Sequence, residues 1–92
     1  MKLIRIHCHT ENDEYLSEFY MEIHPDLLAL YEELGIIEMK GNRVAYEDML
    51  RLHKALRIKE KCGVNTVGAA IIVDLIKKIE DLQDEIERLR RE

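Results

Sequence analysis

The 92-residue sequence predicts a mainly α-helical domain with a short N-terminal strand, a helix-turn-helix, a two-stranded wing and a long C-terminal coiled-coil helix. Three observations carry this expectation. The stretch HPDLLALYEELGII is punctuated as a short helix, with Pro25 in its first turn and Gly35 just past its end. Gly41 and Asn42, both tolerant of positive φ, sit between two β-prone arms, which is a hairpin pattern. From Ile72 to Leu89 large aliphatic residues recur at alternating three- and four-residue steps, with isoleucine at 72, 79 and 86 and leucine at 75, 82 and 89.

Lys2 to Thr10 (KLIRIHCHT) alternate roughly between apolar and polar and hold β-branched residues, which predicts a short strand. In the following TENDE, Asn12 or Asp13 can cap a first helix running to Tyr20 or Met21, with Glu14 near its positive end and Tyr15, Leu16, Phe19 and Tyr20 as its apolar face. The second helix carries Leu27, Leu30, Tyr31 and Leu34 on one stripe, and Asp26, Glu32 and Glu33 are its only charged residues. Two short helices on a tight connection form a helix-turn-helix.

After Gly35, the arms of IIEMKGNRVAY close the wing around Lys40-Gly41-Asn42-Arg43. From Glu47 the pattern EDMLRLHKALRIKEKCG is helical, with Met49, Leu50, Leu52, Leu56 and Ile58 inward and Arg51, Lys54, Arg57, Lys59 and Lys61 outward, stopping at Gly63. Asn65 or Thr66 caps the final helix, which meets no glycine or proline after Gly68. Packing on the chain's own core would account for Ile71, Ile72, Leu75 and Ile76. It accounts poorly for Leu82, Ile86 and Leu89, because so small a chain has little core left for a helix of that length. Ile72, Leu75, Ile79, Leu82, Ile86 and Leu89 are therefore expected to form a homodimer seam. Residues 1–63 are read as the winged core and 64–92 as the dimerisation helix of one structural domain.

No apolar run approaches the ~18 residues of a membrane span, and the first residues lack the apolar core and cleavage site of a signal peptide, so a cytoplasmic protein is expected. Cys8 and Cys62 lie far apart without CxxC spacing, which in a reducing compartment favours thiols over a disulfide. Ser17 and Thr66 stand beside no His/Asp arrangement, and no glycine loop could cradle a phosphate, so neither an enzyme nor a cofactor is expected. His7-Cys8-His9 resembles a metal fragment that His24 or Cys62 could complete. In a strand, however, His7 and His9 face one side and Cys8 the other, so no metal site is expected. His53 borders the apolar stripe of its helix and reads as a packed residue.

The net charge of −5 hides an asymmetry: −7 over residues 1–38, +4 over 39–63 and −2 over the remainder. Such polarity favours steering toward a charged partner. The helix-turn-helix from Asn12 to Leu34 contains no Lys or Arg and seven acids, which would repel the phosphates that supply half to two-thirds of protein–DNA hydrogen bonds. Against this, Lys40, Arg43, Arg51, Lys54, Arg57, Lys59 and Lys61 place seven positive charges within 22 residues.

The order of parts, with Ile23-His24-Pro25 and Leu34-Gly35-Ile36 framing one helix and Gly63-Val64-Asn65 with Gly68-Ala69-Ala70 opening the last, resembles a MerR-type winged helix over about Glu14 to Glu92. Within that superfamily the chain is similar to the branch holding HspR-like repressors and CbpM-type chaperone modulators. The latter resemblance implies a partner, the J-domain of a DnaJ-like co-chaperone, whose stimulation of its chaperone would be limited by binding. J-domains as a family present a basic helical face, and an acidic helix pair is complementary to it. The residues expected to dock are Glu14, Glu18, Glu22, Asp26, Glu32 and Glu33. The alternative is a MerR- or HspR-like DNA-binding regulator gripping DNA through Lys40, Arg43, Arg51, Lys54 and Arg57, and a third reading is a plain homodimerisation module. Glu85 and Arg90 could pair across a parallel seam, whereas the MerR-type resemblance implies antiparallel packing.

Overall fold

A computed structural model describes residues 2–9 and 19–91. In chain order the elements are β1 (Ile4–His9), β2 (Phe19–Ile23), α1 (Pro25–Glu33), β3 (Met39–Lys40), β4 (Arg43–Ala45), α2 (Tyr46–Cys62) and α3 (Thr66–Arg90). The strand at the N-terminus, the wing and the long final helix all form. The expected first helix is corrected at its end, where Phe19 to Met21 belong to a strand, and the rest of that expectation falls on residues 10–18, outside the described residues. FYMEI alternates with a period of two, and β1 supplies an antiparallel partner that matches Ile4 to Ile23, Ile6 to Met21 and His7 to Tyr20. Ladder hydrogen bonds to a neighbour from elsewhere in the chain override a local helical pattern here.

The wing is not a free hairpin. Its second arm, β4, also pairs in parallel with β1, matching His7 to Arg43 and Cys8 to Val44, so that one sheet runs in the order β2-β1-β4-β3. The His7 amide donates to the Asn42 carbonyl at 2.8 Å and pins the hairpin tip to β1. Because side chains alternate across a strand, Ile6, Cys8, Ile23 and Val44 are buried on one face, where the helices pack. Arg5, Tyr20, Glu22, Lys40 and Arg43 are exposed on the other.

On the inner side α1 inserts Leu28 and Tyr31, while Leu27, Leu30 and Leu34 of the expected stripe are only half-buried. Gly35 at φ 80° ends this helix and Gly63 at φ 69° ends α2, both in the left-handed region that glycine enters without steric cost. α2 buries Met49, Leu52 and Ala55; Leu50, expected inward, is 43% exposed. α3 packs on α2 and buries Ala69, Ala70 and Val73; the buried positions of α2 recur at three-residue steps, so Leu50, one position past Met49, falls to the side of that stripe. Asn65 caps α3 by accepting the Gly68 amide at 2.7 Å. Past Val73 and Ile76 the helix leaves the core, and every residue from Lys77 to Arg91 is exposed. Ile71 and Leu75, for which a core role was open, are more than half exposed.

One carboxylate ties the wing to the helices. Asp48, in the first turn of α2, accepts the Glu38 amide at 3.0 Å and also pairs with the Arg51 guanidinium. Charge-assisted bonds of this kind are worth more than neutral ones, and loss of the acceptor would leave the Glu38 amide and Arg51 without their partner. Asp48→Ala is expected to cost about 1–2 kcal/mol and to lower Tm by roughly 5–15 °C in a thermal melt. An unchanged Tm would mean that water replaces the clamp at no cost.

Candidate partner-binding surfaces

The acidic surface is organised by α1. His24 caps the helix, its Nδ1 accepting the Asp26 amide at 3.1 Å, and Pro25 follows with the fixed φ that suits the first turn. Asp26 lies at the positive end of the helix, which favours it; its carboxylate is 94% exposed. Asp26, Ala29 and Glu33 follow one another at helical spacing along the exposed side, with Glu32 beside them, and no basic residue lies in the last turn. Seven residues of helix put Asp26 and Glu33 about 10 Å apart along the axis.

The six acids read as a partner surface divide in the structure. Asp26, Glu32 and Glu33 share α1, although one Glu32 oxygen accepts the Met39 amide at 3.3 Å. Glu22 stands on β2 on the outer face of the sheet, where it meets Arg5 at 3.4 Å. Glu14 and Glu18 fall outside the described residues.

The basic residues divide as well. Lys40 and Arg43 are exposed and directly opposite one another across the wing. Lys54 and Arg57 are exposed on α2. Arg51, expected outward, is half-buried: Asp48 three residues earlier on the same helix draws in its guanidinium, and its Nε is buried without a partner among the described residues. Four of the five basic positions therefore remain available to an anion.

Around His7-Cys8 the sheet register places Cys8 inward against Val44 and His7 outward between Tyr20 and Arg43. Burial pushes the Cys8 thiol pKa up, while Cys62 is exposed at the end of α2. Among the described residues, no three His, Cys, Asp or Glu side chains converge. Tyr31 is wholly buried. Burial raises its pKa, the hydrogen bond with the Thr66 side chain opposes that shift, and among the described residues no hydrogen bond of full geometry closes on its hydroxyl.

The seam on α3 is open. Leu75, Ile79, Leu82, Ile86 and Leu89 are each 51–58% exposed, while Ile72, nearest the core, is half-buried. Ion pairs flank it at helical spacing, Lys78 with Asp74 at 3.0 Å, Lys77 with Asp81 at 3.3 Å and Arg91 with Glu87 at 2.8 Å. Pairs this exposed contribute about 0.3–0.5 kcal/mol each, so they support the helix without explaining its apolar stripe. A groove of about 480 Å³ between the end of α1 and the start of the seam, lined in part by Leu34, Ile36, Ile71 and Leu75, continues that apolar surface onto the core.

Sequence reasoning missed a further surface, the outer face of the sheet. Tyr20, assigned to a helix, stands in register with His7, Arg43 and Lys40 across four strands. The signal was the period-two alternation of FYMEI against LIRIHC, visible only once the two segments are set side by side.

No helix among the described residues is long and apolar enough to cross a membrane. No solved structure matches the chain. A family model described as MerR HTH family regulatory protein matches residues 10–91, which takes in β2, α1, the wing, α2 and α3. With the punctuated helix, the wing and the long final helix in that order, the chain belongs to the MerR helix-turn-helix family of regulatory proteins.

Proposed function

We propose that this regulatory protein is a non-enzymatic chaperone modulator that binds the J-domain of a DnaJ-like co-chaperone through the acidic outer side of α1. The observation that carries the reading is the stripe of Asp26, Ala29 and Glu33 with Glu32 beside it, exposed and without a single lysine or arginine on the helix. Glu32 and Glu33 sit at the negative end of the helix dipole, where acids cost stability, and a partner's basic face would offset that cost. The same stripe would repel duplex phosphate. The CbpM-type resemblance of the sequence points to the same class of partner.

A DNA-binding regulator remains the second reading. It is favoured by the exposed Lys40 and Arg43 of the wing and by Lys54 and Arg57 of α2. Arg51 is held by Asp48 and is excluded from that surface as it stands.

In either reading a second copy of the chain covers the α3 seam. A solvent-exposed stripe of five large aliphatic residues, running along a helix past the part that packs on the core, calls for a partner with the same repeat, and the chain itself supplies one. Ile at one heptad position and Leu at the other is the composition of a two-stranded coil.

A labelled J-domain and a mixed duplex DNA pool, each titrated at low and physiological salt, separate the two functions. J-domain binding is expected to weaken with salt and to fall about tenfold in the Asp26→Lys, Glu33→Lys double variant, in which the second change suits the helix dipole and offsets the first. DNA retention with a steep salt slope, lost in Lys54→Ala with Arg57→Ala, would overturn the modulator reading in favour of the regulator. In sedimentation at micromolar concentration the wild-type chain is expected to run as a dimer and Leu82→Asp as a monomer. A wild-type monomer would sink the seam assignment.

A further inference from the structure

We propose that the outer face of the four-stranded sheet binds single-stranded nucleic acid. One residue from each strand forms a row in register, Tyr20 on β2, His7 on β1, Arg43 on β4 and Lys40 on β3. At a strand spacing of about 4.8 Å the row spans roughly 14 Å. Tyr20 is 54% exposed, and its ring is held from one side by the Arg5 guanidinium, 4.2 Å from the ring centre. The His7 ring lies 6.4 Å from it, tilted by 46°. Arg5 meets Glu22, whereas Lys40 and Arg43 make no ion pair among the described residues.

Among the described residues the face thus carries three cations and one acid on a chain of net charge −5, and it carries them beside an exposed aromatic ring. An acidic peptide would satisfy the cations and leave Tyr20 and His7 without a role. A duplex keeps its bases inside the stack, out of reach of a ring on a flat sheet. A single strand offers both phosphates for Arg43 and Lys40 and a free base for Tyr20, which is how sheet platforms and single-strand sites are built. The row accommodates a few nucleotides, at the short end of the ~4–16 seen for single-strand modules. None of this depends on α1 or on the J-domain reading.

The test is fluorescence anisotropy of the full chain with a labelled oligouridylate of about 12 nucleotides, and with an oligothymidylate of the same length, between about 50 and 200 mM salt. Binding is expected with a slope of log K against log salt of about −1.4, from the two unpaired cations, Arg43 and Lys40, at ~0.7 per phosphate. Tyr20→Ala is expected to weaken binding about tenfold or more with little change in slope, and Tyr20→Phe to restore it, since the ring and not the hydroxyl stacks. Arg43→Ala with Lys40→Ala is expected to bring the slope close to zero, while Asp26→Asn with Glu33→Gln and Lys54→Ala with Arg57→Ala leave the slope and the Tyr20 effect unchanged. If the alanine at Tyr20 alters the melt, Arg43→Glu on the hairpin reads the same face and should abolish binding. The proposal is overturned by an absence of binding at low salt, by a duplex binding as tightly, by oligoglutamate competing as well as the oligonucleotide, or by loss only in the Lys54, Arg57 variant.

Discussion

The parallel pairing of β1 with β4 is the contact on which the arrangement of the chain depends. It joins the first strand to a hairpin more than thirty residues later and turns two weak ribbons into one sheet. Two-stranded ribbons are marginal in water, and a sheet of four with one apolar face is not. α2 begins at Tyr46, directly after the last residue of β4, so the strand that is fixed by β1 also fixes where the longest stretch of core helix starts. α3 then packs on α2 and buries Ala69, Ala70 and Val73. The position of the final helix is in this way inherited from a pairing made at the other end of the chain.

Charge follows the same architecture. The inner face of the sheet and the helices that cover it bury only apolar residues among those described. The ionisable groups are sorted among four outer surfaces of different sign and texture: acids on α1, cations with a tyrosine on the open sheet, Lys54 and Arg57 on α2, and alternating pairs along α3. Asp48 is the exception that links surface to core. It spends its charge on the backbone of the loop after α1 and on Arg51, so one carboxylate sets how the loop, the wing and α2 meet.

What could be read from the sequence was local. Pro25, Gly35, Gly63 and Asn65 mark helix ends by their own backbone preferences, and Gly41-Asn42 marks its turn in the same way. The heptad of α3 is legible because it repeats. What could not be read was settled by distant partners. Phe19 to Met21 fit a helical stripe until β1 lies alongside, and Leu50 fits an inward stripe until the core takes Met49, Leu52 and Ala55 instead. Arg51 counted as a free cation because nothing in the spacing said that Asp48 would hold it. Of the acidic surface, the part on α1 was legible, since those residues project from a helix whose ends the sequence marks. The place of Glu22 was not, since it follows from the sheet.

The final helix has a dynamic consequence. Its first turns are held by Ala69, Ala70 and Val73 in the core, and its last four turns rest on backbone hydrogen bonds and exposed ion pairs alone. A helix of about four turns without packing is marginal in water. Protection of its amides from exchange should therefore decline from Val73 toward Leu89, the N-terminal half opening only with the whole domain and the C-terminal half fraying on its own. The steepness of that decline is a measure of how much of the time the seam is covered, and it can be read one amide at a time without disturbing whatever covers it.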